Sequence, residues 1–415
     1  MSAGTVIVGA GQAGAQLAIS LREMGYLGGI SLIGAEPHVP YQRPPLSKEF
    51  LAGGQPAAEL SLRTAAYYQE QDIWLRTGAQ VMSINRRERS ISLDSGELLP
   101  YERLVLATGA RNRRLVLSDG KDPVNVHYLR TIDDAVRLRD AMSSARRILV
   151  IGAGFIGMEF ASVAAASGTQ VTVVELSDRI MARAVSPQIS AHFAARHSAA
   201  GTEIICGSVI EDYLQGPGGE ITGIRINGQV REVDLVLAGI GVIPNAELAR
   251  DAGLASEGGI TVDSGLGTED PNIFAVGDCV THPREGFPSP VRVESVQNAA
   301  DQARFLARRI IGNQSGCYEE IPWFWSHQAG DKLQIAGLSS PGDSAITLGD
   351  PSTARFSVCR FRGGILTAVE SVNSAADHLA SRRMLSSGHP LTEAEVRAPG
   401  FSLRNASSTP LRASA

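Results

Sequence analysis

The sequence predicts an α/β chain with two nucleotide-binding sheets followed by a small α+β domain, and three observations lead there. A pattern of apolar strand, glycine turn and helix occurs twice, once at the N-terminus and again near residue 150. Apolar residues make up 43% of the chain and aromatics only 5%, so the cores must be built from Ala, Val, Ile and Leu, as parallel sheets are. After Pro322 the pattern changes to short alternating strands, the signature of an antiparallel domain. At 415 residues the chain has room for two or three domains, each with its own core.

The first copy reads TVIVGAGQAG from Thr5 to Gly14 and is followed by a second strand, Ile30 to Ile33. The other reads RILVIGAGFIG from Arg147 to Gly157 and is followed by Gln170 to Val174. Each completes a βαβ unit of the length expected for half a dinucleotide site. Strands at Arg103 to Ala107 and Asp234 to Ala238 end in glycine turns, as if each closes one sheet, and the second turn holds Gly241. NIFAVGD, Asn272 to Asp278, is a strand ending in Gly-Asp, and Val296 to Ile311 reads as an amphipathic helix. Beyond Pro322, strands are expected at Leu333 to Leu338, Ser344 to Gly349, Arg355 to Phe361 and Ile365 to Ser371. From Ala398 the chain is rich in Ser and Ala and reads as a mobile tail.

Composition excludes several function classes. A net charge of −5 and a pI near 6.0 lack the basic footprint of a nucleic-acid binder. The cysteines, Cys206, Cys279, Cys317 and Cys359, form no CxxC or CxxxxC pair and read as reduced, mostly buried thiols. The uncharged start lacks a basic n-region and is broken by glycines, so neither a signal peptide nor a membrane span is expected and a cytoplasmic protein is. Of 38 cationic residues only Lys48, Lys121 and Lys332 are lysine, which marks any lysine inside a motif.

The chemistry of the glycine turns is specific. Gly9 allows the tight turn, Gly11 lets the backbone approach a pyrophosphate, and Gly14 allows close helix packing; Gly152, Gly154 and Gly157 repeat those roles. The phosphate then rests on the amides and positive end of the helix. Glu175, at the end of the second strand of the later copy, is placed to accept hydrogen bonds from ribose hydroxyls. No neighbouring arginine is placed to receive a 2′-phosphate, so this copy is expected to take NADH. In the first copy Gly34 holds the equivalent position, and Glu36 is the expected ribose partner.

Longer motifs carry a resemblance. YQRPPLSK (Tyr41 to Lys48), LVLATGARNR (Leu104 to Arg113), YLRT (Tyr128 to Thr131), GIGVIPN (Gly239 to Asn245), VGDC (Val276 to Cys279), ESVQNAADQA (Glu294 to Ala303) and PWFW (Pro322 to Trp325) run in order along nearly the whole chain. They resemble the NADH-dependent ferredoxin reductases of bacterial oxygenase systems, FAD flavoproteins of glutathione-reductase-like architecture. The resemblance implies FAD in the first nucleotide site, NADH in the second, and a [2Fe-2S] ferredoxin as electron acceptor, serving a cytochrome P450 or ring-hydroxylating oxygenase.

By the same resemblance Lys48 lies beside the flavin, Glu159 near both flavin and nicotinamide, and Asp278 on the ribityl chain. A cation there would stabilise charge building on the flavin as a hydride arrives, so Lys48 and Glu159 are electrostatic tuners rather than acid or base. Val296 would point its amide toward the flavin, while Ala13, Ala35, Arg43, Val81 and Arg130 surround FAD. Arg183 would lie by the NAD adenine and phosphates, and Trp325 would border and shield the isoalloxazine. On the residues alone, Arg183 reads equally as solvated surface and Trp323 as core, and an Asx turn is the lesser alternative for Asp278.

The family reads WSDQ where this chain has Trp325-Ser326-His327-Gln328, which exchanges a carboxylate for a titratable ring. No cysteine precedes Cys206, so a disulfide relay beside the flavin is excluded. The resemblance divides the chain into an FAD-binding domain (1–113 and 245–320), an NADH-binding domain (114–244), a C-terminal α+β interface domain (321–400) and a tail (401–415), in a monomer or weak homodimer. Arg304, Arg308, Arg309 and Lys332 are candidates for meeting an acidic ferredoxin, or are a solvated face. Reduction of rubredoxin or monodehydroascorbate, or an apoptosis-inducing-factor-like redox-sensing role, are the competing functions.

Overall fold

The computed structural model describes residues 4–117, 120, 123–312, 316–388 and 390–406. They form two compact units, and the chain passes between them several times: residues 1–43, 57–111 and 242–320 make the first, and 44–56, 112–241 and 321–415 the second. The segments predicted as an NADH-binding domain and a C-terminal domain therefore share one unit, together with most of the YQRPPLSK motif.

In the first unit, strand Gly4–Val8 lies between Ile30–Ile33 and Leu98–Leu106, parallel to both. Ile73–Arg76 and Ile273–Ala275 extend this parallel sheet on its two sides, and Val81–Asn85 with Ser90–Leu93 adds an antiparallel hairpin. The core is aliphatic, as the composition requires, with Ile7, Leu17, Leu32, Leu104, Val105 and Ile273 fully buried. Helices Gln12–Glu23 and Val296–Ile310 pack against one another.

The second unit holds two sheets of different kind. Five parallel strands run in the order Glu203–Ile205, Gln170–Val174, Arg147–Ile151, Leu235–Ala238, Val126–His127. A three-stranded antiparallel sheet over residues 212–232, absent from the sequence reading, closes over their apolar face through Ile221 and Ile224. The other large sheet is antiparallel, in the order Trp323–Gln328, Asp331–Gly337, Ile365–Val372, Arg355–Arg362, Ser344–Asp350. Four of these strands match the predicted ones to within two residues at each end. The fifth, Trp323–Gln328, was read only as a motif, because WFWSHQ alternates too weakly to mark a strand.

Two expectations change. The tail was expected to begin at 401, yet Leu403–Ala406 form a short helix and Leu403 is buried with Met384 and Val396; residues 407–415 lie outside the described residues. Of the thiols only Cys279 and Cys359 are buried, Cys206 is half-buried and Cys317 is exposed; all four are free. Among the described residues no helix is long and apolar enough to cross a membrane.

The antiparallel sheet is tied to helix Pro187–Ala199 by a buried charge. Both oxygens of Glu370 accept from the Ser186 backbone N–H, at 3.1 and 2.9 Å, and Oε1 also takes the Arg360 guanidinium at 3.0 Å. Burial raises the Glu370 carboxyl above its ordinary range, opposed by Ser186 and Arg360. Removing one partner of such a pair strands the other charge. Arg360→Ala is expected to lower the unfolding free energy by about 3 to 5 kcal/mol, and the double change Arg360→Met, Glu370→Gln to recover most of it, as urea denaturation followed by circular dichroism would read.

Candidate functional site

The two glycine turns fold alike because the same atoms constrain them. Gly9 has φ +112° and Gly152 φ +94°; a Cβ on Gly9 would sit 2.1 Å from the Ala107 carbonyl oxygen, and one on Gly152 2.5 Å from that of Gly239. A Cβ on Gly14 would lie 1.9 Å from the Gly9 oxygen, and one on Gly157 2.2 Å from the Gly152 oxygen. The middle glycines differ: a Cβ on Gly11 or Gly154 would meet no atom within 4 Å. Each helix thus opens beside free space at its middle glycine. Neither helix start is capped by a side chain or carries an acidic residue in its first turn. Both cradles fit a dinucleotide pyrophosphate.

Around the first cradle the unit gathers most of the residues assigned to FAD. The Gly277-Asp278 turn packs against Ala13, whose Cβ would lie 3.0 Å from a Cβ on Gly277, and the Gly277 N–H donates to Gln302 Oε1 at 2.7 Å. Gln302 rides on the helix that starts at Val296, where Ser295 caps the Asn298 N–H at 3.0 Å. The N–H groups of Gly78 and Ala79 donate to the carbonyls of Glu36 and Gly34, drawing the strand that starts at Val81 toward exposed Ala35. Glu36 is already engaged: Arg43 Nη2 donates to Oε1 at 2.5 Å and the Tyr41 hydroxyl to Oε2. Burial works against the Arg43 charge, but Tyr41, Glu36 and Asp278 outweigh it and raise its pKa.

The second unit holds the rest. Glu175 braces its own cradle, Oε2 accepting from the Ala153 N–H at 2.6 Å and Oε1 from the Ser177 N–H at 2.8 Å. Gly241 has φ +94° and lies next to exposed Arg183, whose Nη2 is 3.7 Å from a Cβ placed there. Arg130, assigned with the FAD residues, belongs to this unit; its N–H donates to Asp134, which also forms the capping box of helix Ile132–Met142.

Lys48, Glu159 and Trp325 also fall in the second unit. Glu159 is buried, and every bond to it is a donor's: Lys48 Nζ to Oε2 at 2.6 Å, Ser47 Oγ to Oε2 at 2.5 Å and Ser326 Oγ to Oε1 at 2.6 Å. Strand alternation separates Ser326 from its neighbours. Phe324, Ser326 and Gln328 lie on the face toward helix Phe155–Ala166, the Phe324 ring packing at a tilt on Phe155 at 4.4 Å, whereas Trp323, Trp325 and His327 take the opposite face. There Trp325 packs on Trp323 at 5.4 Å and Arg382 lies over Trp323 at 4.4 Å. His327 pairs across the sheet with Lys332, and burial, Lys332 and Lys48 hold its pKa below the usual histidine value. Ser47, Tyr41, Gln302 and Ser326 were missed as site residues although each stands in or beside a motif already noted.

The profile of the pyridine nucleotide-disulphide oxidoreductase family matches residues 4–303, and that of the reductase C-terminal domain residues 323–407. Rhodocoxin reductase of Rhodococcus erythropolis is 44% identical over 96% of this chain and 93% of its own. The chain belongs to the ferredoxin reductases of this family. Like the family, the reductase is an oxidoreductase that uses FAD and NAD(H). The crystal structure of the ferredoxin reductase for the CYP199A2 system from Rhodopseudomonas palustris superimposes with a TM-score of 0.93 at 44% identity, covering 98% of this chain and 100% of that one. The covalent putidaredoxin reductase–putidaredoxin complex gives a TM-score of 0.93 at 37% identity, covering 97% and 98%.

Behind Trp323 the reductase buries His378, whose ring lies 5.6 Å from that of the tryptophan. Burial, with Arg382 and Lys332 adding to it, pushes His378 down to about 4 from 6.5. The folded protein then binds this proton less readily than the unfolded chain, so the stability involved is full above pH 6.5 and is lost as pH falls toward 4. Thermal melts across that window should show a fall in Tm that His378→Gln flattens.

Proposed function

We propose that the reductase takes electrons from NADH in preference to NADPH and delivers them singly to a [2Fe-2S] ferredoxin that serves a cytochrome P450 or ring-hydroxylating oxygenase. The observation that carries the donor half is Glu175, held by two backbone N–H groups at the mouth of the second cradle. A fixed carboxylate accepts from ribose hydroxyls and repels a 2′-phosphate. For the acceptor half, the support is the likeness to rhodocoxin reductase and to the putidaredoxin complex. A cytoplasmic location suits such a system.

FAD, when bound, would supply the chemistry that couples a two-electron donor to a one-electron acceptor. The residues of the chain do the rest. Gly9, Gly11, Gly14 and the helix that follows bind the FAD pyrophosphate, Asp278 and Arg43 hold the rest of the FAD chain, and Gly152, Gly154, Gly157, Gly241 and Arg183 bind NADH. Lys48, held in place by Glu159, presents a cation of fixed position, and Trp325 would shield the flavin from water. No cysteine pair takes part.

For docking, three of the four candidate cations, Arg304, Arg308 and Arg309, share helix Val296–Ile310, where Arg304 is paired with Asp301 at 3.0 Å and Arg309 with Asp263 at 3.6 Å; the fourth, Lys332, lies on the tryptophan-bearing side of the second unit together with Arg382, a residue not among the sequence candidates, and both act on His378. We assign Lys332 and Arg382 to an acidic ferredoxin surface. Lys332→Glu with Arg382→Glu is expected to raise KM for ferredoxin roughly tenfold, the effect weakening with added salt; an unchanged KM would remove the assignment.

Donor choice is tested by kcat/KM, expected to be at least about tenfold higher with NADH than with NADPH and to approach parity in Glu175→Ala. A stopped-flow panel of [2Fe-2S] ferredoxins and rubredoxins tests the acceptor: fast reduction of rubredoxin alone would overturn the reading.

A further inference from the structure

We propose that Ser326, Gln328 and His197 form a one-directional hydrogen-bond chain that positions the Glu159 carboxylate, making Gln328 and His197 positioning residues for the reaction. The inference rests on the reading of Glu159 as an electrostatic tuner, and it goes beyond that reading in naming what fixes it.

The chain is continuous and buried. Ser326 Oγ donates to Glu159 Oε1 at 2.6 Å, Gln328 Nε2 lies 3.1 Å from Ser326 Oγ, and His197 Nε2 lies 3.0 Å from Gln328 Oε1. Glu159, His197, Ser326 and Gln328 are each no more than 2% exposed. Gln328 Nε2 also lies 3.6 Å from Met181 Sδ, a weak acceptor.

Donor and acceptor counting fixes the direction. Glu159 faces Lys48 and two hydroxyls and is an acceptor throughout. A serine hydroxyl carries one hydrogen, and Ser326 gives it to Glu159, so toward Gln328 it can only accept. Gln328 must therefore turn its NH₂ toward Ser326, which leaves its carbonyl toward His197, and that carbonyl requires a hydrogen on Nε2. Burial holds the His197 ring below the usual pKa, in keeping with a neutral ring whose tautomer is selected by Gln328, its one hydrogen-bond partner among the described residues. A neutral His197 with hydrogen on Nε2 thus orients Gln328, Gln328 orients Ser326, and Ser326 pins the oxygen of Glu159 that Lys48 does not hold.

Local structure makes this arrangement natural. Ser326 and Gln328 are two apart on a strand and share its face. Phe155, Glu159 and Ser162 are spaced four and three apart on a helix, and all three meet that strand and its turn: Phe155 on Phe324, Glu159 on Ser326, and Ser162 Oγ accepting from the Ala329 N–H at 2.9 Å. The partners sit in register along both elements.

The test uses the FAD-loaded reductase. The rate of flavin reduction by NADH in single turnover, the flavin midpoint potential and the NADH Kd are measured for wild type, Glu159→Gln, Gln328→Met and the double variant. Gln328→Met is expected to slow reduction roughly tenfold and to move the potential in the same direction as Glu159→Gln, leaving Kd within about twofold. Added to Glu159→Gln it should change neither quantity further. Additive effects in the double variant would show that Gln328 acts independently of Glu159 and overturn the chain alone. No effect of Glu159→Gln would remove the tuning role, and the chain's purpose with it. Should Gln328→Met fail to fold, ¹⁵N-histidine NMR of the wild-type holoenzyme decides, with His197 assigned through His197→Gln. Hydrogen on Nε2 supports the direction argued here, and hydrogen on Nδ1 alone overturns it.

Discussion

The buried carboxylate of Glu159 ties three segments of the second unit together. An ionised group in an apolar interior is strongly unfavourable unless a counter-ion and hydrogen bonds replace its water, and Glu159 needs both. They come from distant stretches of chain: Ser47 and Lys48 from the helical turn that ends the YQRPPLSK motif, and Ser326 from the first strand of the antiparallel sheet. Helix Phe155–Ala166 carries the charge, so any shift of helix, turn or strand leaves an oxygen unpaired. This constraint explains why residues 44–56 pack with the second unit although the chain on either side of them belongs to the first.

The two nucleotide turns show how one backbone solution serves two ends. Steric contacts at Gly9 and Gly14 recur at Gly152 and Gly157 to within a few tenths of an ångström, so the cradles themselves do not discriminate. The acids beyond them differ. Glu175 is fixed by backbone N–H groups and keeps acceptor capacity on both oxygens, because a carboxylate can accept about four hydrogen bonds. Glu36 sits under an arginine and a tyrosine, and the same oxygens that would meet a ribose orient Arg43. One site presents a bare carboxylate, the other a carboxylate joined to a guanidinium.

Much of this was legible in the sequence, and the reason is local. Glycine conformations and apolar periodicity are fixed by neighbours in the chain, so Ile30–Ile33 and Gln170–Val174 appear at their predicted limits. What was not legible depends on contacts between distant segments. The antiparallel sheet over residues 212–232 has short, partly polar strands that are recognisable only from the face they cover. Ser326 and Gln328 escaped because serine and glutamine are ordinary residues and their segment was read only as a motif, not as a strand. They become informative only once alternation turns them toward a helix whose buried acid needs donors. Leu403 escaped because a Ser/Ala-rich composition says nothing of the single leucine that docks.

Strand Trp323–Gln328 makes the division of labour explicit. Its period of two gives it an aromatic, cation-flanked side and a hydrogen-bonding side within six residues. The exchange of aspartate for His327 that the motif resemblance implies falls on the first of these. His327 is exposed and pairs across the sheet with Lys332, so the replacement removes a negative charge from the cationic side and leaves the bonds of Ser326 and Gln328 untouched. Because partial desolvation of the ring, Lys332 and Lys48 all disfavour its charged form, His327 makes that side less acidic than an aspartate would without adding a full positive charge near neutral pH. A partner that meets this face therefore meets Lys332 and Arg382 without an opposing carboxylate at position 327. Substitution on this side can tune which partner is met while the opposite side goes on holding Glu159.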